Sequence, residues 1–112
     1  MGEQKRQVVL YGNIINKNHI VMNKLRRKNL VSKVAELETL KSQLEDIKGE
    51  IESVHDEEED AFDSMPESLQ ESERGETMQE NIDNLDDACY NIDDIISNID
   101  DVIDTLNEVI ER

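Results

Sequence analysis

From Leu30 the apolar positions run Leu30, Leu37, Leu40, Leu44, Ile47, Ile51, Val54 and then Ala61, and from Leu37 to Val54 the steps alternate three and four. That is heptad spacing and predicts a helix with a seam. The seam reads Leu30, Leu37, Leu44 and Ile51 at one position and Leu40, Ile47 and Val54 at the other, with Lys33 and Glu58 in register at its ends. A second segment is more regular: Met78, Ile82, Leu85, Cys89, Ile92, Ile96, Ile99, Ile103, Leu106 and Ile110 step by four and three without a break. Beside it Ala88, Ile95, Val102 and Val109 recur every seventh residue, so each heptad presents three apolar positions rather than two. One facing helix does not cover that stripe. The surplus calls for the N-terminal segment, a second copy or a partner, and it makes these four residues the expected self-association surface.

Between the two segments, Phe62 to Gly75 holds the single proline, Pro66, and is where the chain reverses. Ser64-x-x-Glu67, Ser68-x-x-Glu71 and Thr77-x-x-Glu80 each fit the capping-box pattern of a helix start. The reading is a break near Asp63 to Ser64, one short helical turn, and a long helix from about Ser72. The predicted organisation is a basic arm or short element over 1–17, helix one over 18–62, a turn over 63–71 and an acidic heptad helix over 72–112. Val8-Val9-Leu10-Tyr11 and Gly12 argue for a strand, turn or mobile arm over 1–12, while Ile14, Ile15, Val21, Met22 and Leu25 can continue a helical face. The fold class is therefore all-α, an antiparallel two-helix hairpin, with dimerisation into a four-helix bundle as one way to cover the third column. A turn centred near Glu67 sets Leu44 opposite Cys89 and Tyr90, and Ile51 opposite Ile82 and Asp83. It also brings Lys24, Arg26, Arg27 and Lys28 level with Leu106 to Ile110, beside Asp104, Glu108 and Glu111.

Composition narrows the class further. With 112 residues, one Phe, two Tyr, no Trp and four Gly there is too little bulk for a sandwich or barrel core and too few turn residues for many strands. The longest apolar run, Val8 to Tyr11, is far short of the roughly 20 residues that span a bilayer or the roughly 7–15 of a signal-peptide core. A cytoplasmic protein without membrane contact is expected. A single cysteine excludes an intrachain disulfide, and with only His19 and His55 beside it no zinc spacing exists.

Charge is the most informative feature. Residues 1–33 carry eight basic side chains and one acidic, a net of +7, whereas residues 34–112 carry four basic and 27 acidic, a net of -23. Lys24-Leu25-Arg26-Arg27-Lys28 ahead of a leucine heptad has the outline of a basic zipper but lacks the Asn-x-x-Ala-Ala core of one. Its cations either pair with the acidic end of helix two and set the register, or bind an acidic protein surface or a guide RNA. On helix two, Asp86-Asp87, Asp93-Asp94 and Asp100-Asp101 recur every seven residues beside the seam, with almost no basic residue on that helix to pair with. Aspartate is a mediocre helix former, so a row of it is either a solubilising face or a phosphate-like surface that occupies the basic channel of a nucleic-acid-binding protein.

Searches for chemistry come back negative. Gly-rich phosphate loops, HExxH, GxSxG, CxxC and the EF-hand pattern are missing from the sequence. The run Glu57-Glu58-Glu59-Asp60 reads as a solvated face, His55 as a packing residue beside the seam, and Cys89 as a small core residue opposite Leu44. No catalytic residue, metal or cofactor is expected.

The stretch Asp60-Ala61-Phe62-Asp63-Ser64-Met65-Pro66-Glu67-Ser68-Leu69-Gln70-Glu71-Ser72-Glu73-Arg74-Gly75-Glu76, with Met78 and Ile82-Asp83-Asn84-Leu85 behind it, resembles small acidic proteins of phages and prophages of Gram-positive bacteria. In that family, mostly without assigned function, an acidic helix, a Pro-Glu-Ser-Leu-Gln-x-Ser-Glu-Arg-Gly-Glu turn and a second heptad helix follow one another. The resemblance covers about residues 55–112 and implies action inside a bacterial host cell. The functional expectation is an anti-CRISPR-like inhibitor that binds a host nuclease or other nucleic-acid-binding defence protein through Asp86, Asp87, Asp93, Asp94, Asp100 and Asp101. Lys24, Arg26, Arg27 and Lys28 form a second contact patch, a homodimer is expected, and direct DNA binding is not. The rival expectation is a structural coiled-coil adaptor whose apolar stripe is the functional surface.

Overall fold

The computed structural model describes residues 16–112, with side chains from Asn23 onward; the arm expected over residues 1–12 lies outside them, as do Ile14, Ile15 and the side chains of Val21 and Met22. All regular structure among the described residues is helical: α1 spans Asn16–Asp63, α2 Glu67–Gln70 and α3 Glu73–Ile110. No described helix is long and apolar enough to cross a membrane.

The turn is built by local hydrogen bonds that the side chains of the Pro-Glu-Ser-Leu-Gln-x-Ser stretch supply. Pro66, with φ near -56°, opens α2, and its carbonyl accepts from the amides of Leu69 at 2.8 Å and Gln70 at 3.0 Å. The Gln70 side-chain amide donates to the Phe62 carbonyl at 2.9 Å, satisfying one of the open acceptors at the end of α1. Ser72 begins α3: its hydroxyl accepts from the Gly75 amide at 3.3 Å and donates to the Leu69 carbonyl. The capping boxes expected at Ser64 and Thr77 do not form. Both hydroxyls turn back on a carbonyl four residues earlier, Asp60 at 2.8 Å and Glu73 at 3.0 Å, because both residues lie where a preceding helical turn offers that acceptor. Glu71 closes α2 instead of lying in a new first turn.

The described chain divides into two compact units, Glu38–Asp101 and the pairing of α1 up to Leu37 with Val102–Arg112. In the first, α1 and α3 run antiparallel around the turn, as Lys41 meets Asp100, Lys48 meets Asp93 and His55 meets Asp86. Its core holds buried Ile82 and Cys89, with half-buried Leu44, Ile51, Phe62, Met78, Leu85, Ile92, Ile96 and Ile99. In the second, Ile103 is buried against half-buried Leu30, Val34, Leu37, Leu106 and Ile110.

Two expectations are corrected. The register is about one heptad further along α3 than a turn centred at Glu67 implies, so Cys89 lines a cleft with Lys48 and Glu52 and does not lie opposite Leu44. The cause is the first turn of α3, which packs Gly75 against the Leu69 and Gln70 carbonyls of α2 and so spends a turn of helix before meeting α1. A seven-residue slip leaves both heptads in phase, and the α3 seam keeps its expected members. The α1 seam does not. The residues facing inward are Leu30, Leu37, Leu44 and Ile51 together with Val34, Lys41, Lys48, His55 and Phe62, while Leu40, Ile47 and Val54 are left 46%, 48% and 52% exposed.

Candidate functional site

The rolled position of α1 creates two unlike long faces in the unit Glu38–Asp101. Going three residues on from a central seam position turns a helix about 60° one way, and going four turns it about 40° the other. Lys41 and Lys48 lie four residues beyond Leu37 and Leu44, as Cys89 and Ile96 lie four beyond Leu85 and Ile92. In an antiparallel pair the same sense of rotation leads both helices to the same side. That side is polar, and the columns three residues on, Leu40 and Ile47 with Ala88 and Ile95, share the opposite one.

On the polar side Lys41 Nζ donates to Asp100 Oδ1 at 2.8 Å and Lys48 Nζ lies 2.7 Å from Asp93 Oδ1, with Glu52 at 3.8 Å. Both lysine pKa values are raised, chiefly by the hydrogen bond to the aspartate, against a desolvation that lowers them. His55 lies between two carboxylates, Nδ1 at 3.0 Å from Asp56 and Nε2 at 3.1 Å from Asp86. Its pKa is raised, first by the bond to Asp56, then by the charges of Asp86 and Glu59. The aspartate row is therefore not an unpaired one. Asp86, Asp93 and Asp100 are engaged by α1, Asp101 also has a partner, and Asp87 and Asp94 stand exposed. Helix two offers almost no cation of its own; the matching heptad, Lys41, Lys48 and His55, lies on helix one.

The chemistry available there is limited. His55, Asp56 and Glu59 place ligand atoms within 4.8 Å of one another, but Asp56 and Glu59 are exposed and both imidazole nitrogens face a carboxylate. A ring nitrogen that donates to a carboxylate has no lone pair for a metal. Cys89, buried beside this cleft, has its thiol pKa pushed up by desolvation and then by Glu52, the reverse of what a nucleophilic thiolate needs.

The basic block behaves differently from the expectation that it pairs with the acidic end of α3. Asn23, Arg26, Arg27 and Leu30 line a groove with Val109 and Arg112 beside the end of α3. Arg26 donates to Asn23 at 2.8 Å, and among the described residues no ion pair joins Lys24, Arg26, Arg27 or Lys28 to α3.

Of the residues singled out for self-association, the apolar side of this unit carries Ala88 and Ile95. Ile95 is 45% exposed and Ala88 half-buried, and in the other unit Val102 and Val109 are 47% and 43% exposed. By the observed register Ile47 comes level with Ile95 and Val54 with Ala88. What the sequence reading missed is that α1 contributes half of this face. Comparisons of the chain with protein-family models, with curated proteins and with solved structures found no match.

Proposed function

We propose that the protein is a non-enzymatic interaction protein that docks through the apolar face formed by Leu40, Ile47 and Val54 with Ala88 and Ile95. The observation that carries this reading is the side-by-side exposure of two heptad columns, one from each helix. A hairpin that needed only to be stable would turn Leu40, Ile47 and Val54 inward and leave Lys41, Lys48 and His55 in water. An exposed apolar face rimmed by charge marks a binding surface. Of the two sequence expectations, this favours the assembly adaptor, with a four-helix bundle as its architecture and a phage or prophage as its setting. The test is a nuclease-treated pull-down from bacterial lysate with the wild type and with an Ile47→Glu, Ile95→Glu variant. Recovery of a bound protein that resists high salt and is lost in the variant supports the reading; recovery indifferent to both changes sinks it.

The inhibitor reading keeps two supports, the net charge of -16 and the exposure of Asp87 and Asp94. It requires a nuclease or other nucleic-acid-binding partner captured at low salt and released at high salt. Changing all six aspartates of the row to asparagine must then abolish capture. Retained capture refutes it.

A further inference from the structure

In the unit that pairs α1 up to Leu37 with Val102–Arg112, the inward seam of α1 changes character. Leu30 and Val34 are half-buried there, and the positions seven residues before them hold Asn23 and Arg27. Asn23, Arg26, Arg27 and Leu30 follow the i, i+3, i+4, i+7 spacing of one helical stripe, and with Val109 and Arg112 they line a groove of about 380 Å³. Three arginines thus share a groove with two aliphatic side chains, half-buried Leu30 and exposed Val109.

We propose that this groove binds an acidic peptide segment of a partner protein, its carboxylates held by Arg26, Arg27 and Arg112 and an adjacent aliphatic side chain seated on Leu30 and Val109. The chain has carboxylates of its own near the same end of α3, at Asp104, Glu108 and Glu111, yet among the described residues none forms an ion pair with these arginines. Arg26 Nη2 donates to Asn23 Oδ1 at 2.8 Å, which holds that guanidinium beside the groove and leaves its other N–H groups for a ligand. A guanidinium is a planar fork that grips a carboxylate through two parallel bonds, and arginine is enriched where partner proteins anchor. The volume, at the small end of ligand clefts, admits a few side chains and not a folded surface. A nucleic-acid strand carries a phosphate at every nucleotide, and Asp104, Glu108 and Glu111 repel the neighbours of any phosphate that the arginines take. A peptide places its carboxylates only where the arginines are. The site lies in a different unit from the apolar docking face, and each is tested without the other.

The experiment uses the full chain, isotope-labelled for NMR. It is titrated with the peptide acetyl-Glu-Glu-Leu-Glu-Glu-amide, with its glutamine-for-glutamate counterpart, with inorganic phosphate and with a single-stranded DNA oligonucleotide. The acidic peptide should bind with a dissociation constant of about 1 mM or tighter, with amide shifts centred on Arg27, Leu30, Val109 and Arg112. Arg26→Gln combined with Arg27→Gln should weaken it about tenfold or more, and Val109→Ala severalfold. These positions are exposed, and an unchanged circular dichroism spectrum verifies that the variants are folded. No binding at about 10 mM peptide, equal affinity for the glutamine counterpart, or shifts centred elsewhere overturns the inference. Inorganic phosphate binding as tightly as the acidic peptide makes the groove a plain oxyanion site, and DNA binding more tightly makes it a nucleic-acid site; either result refutes the proposal.

Discussion

Replacing Gly75 by alanine should destabilise the protein, whereas the same replacement at Gly49 should stabilise it. Both glycines lie inside helices, so both substitutions gain the helix propensity of alanine, about 0.5–1 kcal/mol. At Gly49 an added Cβ meets nothing within 4 Å, and the full gain is kept. At Gly75 the Cβ would stand 2.6 Å from the Leu69 carbonyl oxygen and closer still to the Gln70 carbonyl. These are backbone atoms of α2, held in place by the Pro66 and Ser72 bonds, and they cannot swing aside as a flexible side chain can. Forcing α2 off α3 costs about 1–3 kcal/mol, as overpacking does elsewhere. Since the propensity gain is common to both, the two variants should differ by the clash alone, roughly 1–3 kcal/mol. With a urea slope of about 2 kcal/mol/M, that separates their midpoints by roughly 0.5–1.5 M. The assay is urea unfolding followed by far-ultraviolet circular dichroism at one fixed protein concentration. Gly75→Ala unfolding at or above the Gly49→Ala midpoint would refute the close approach of α2 and α3, and with it the explanation of the register.

Ile82, 4% exposed, should cost about 2–5 kcal/mol on truncation to alanine, read from the same urea curves; a loss within the noise would mean the α3 seam is not where the core lies. His55 should titrate above the ordinary histidine value of 6.5 in an imidazole NMR titration, with the resonance identified by its loss in His55→Gln. Because its folded pKa is raised, the stabilisation is fully present below that ordinary value and declines as pH rises through the raised one. A His55 that titrates at or below 6.5 would contradict the bridge to Asp56 and Asp86. Cys89 should react far more slowly with a thiol reagent in the folded protein than in denaturant, burial and a raised pKa acting together, and equal rates would place it outside the seam.

Most of the architecture was legible in the sequence because heptad spacing is a property of one helix at a time. The uninterrupted column from Met78 to Ile110 and the break before Pro66 needed no knowledge of a partner element, and the short helix between them followed from the turn residues. Capping was less legible. Ser64, Ser68, Ser72 and Thr77 all offer a hydroxyl near a helix start, and only the three-dimensional path decides which one faces open amides. Ser72 does so because α3 begins where α2 presents the Leu69 carbonyl to its hydroxyl.

The sequence by itself determined that two heptad helices flank a turn and that α3 has one apolar column more than a hairpin can cover. Tertiary structure decided which pair of columns each helix turns inward. A column of leucine, isoleucine and valine looks like core on any single helix, and Leu40, Ile47 and Val54 look so here. Whether it is core depends on the roll of that helix against its neighbour, and the roll observed is the one in which Lys41, Lys48 and His55 reach Asp100, Asp93 and Asp86. Those pairings join residues far apart in the chain whose alignment depends on how many residues the turn consumes. Heptad periodicity is blind to that number, since a slip of seven residues changes every partner and leaves the pattern unchanged.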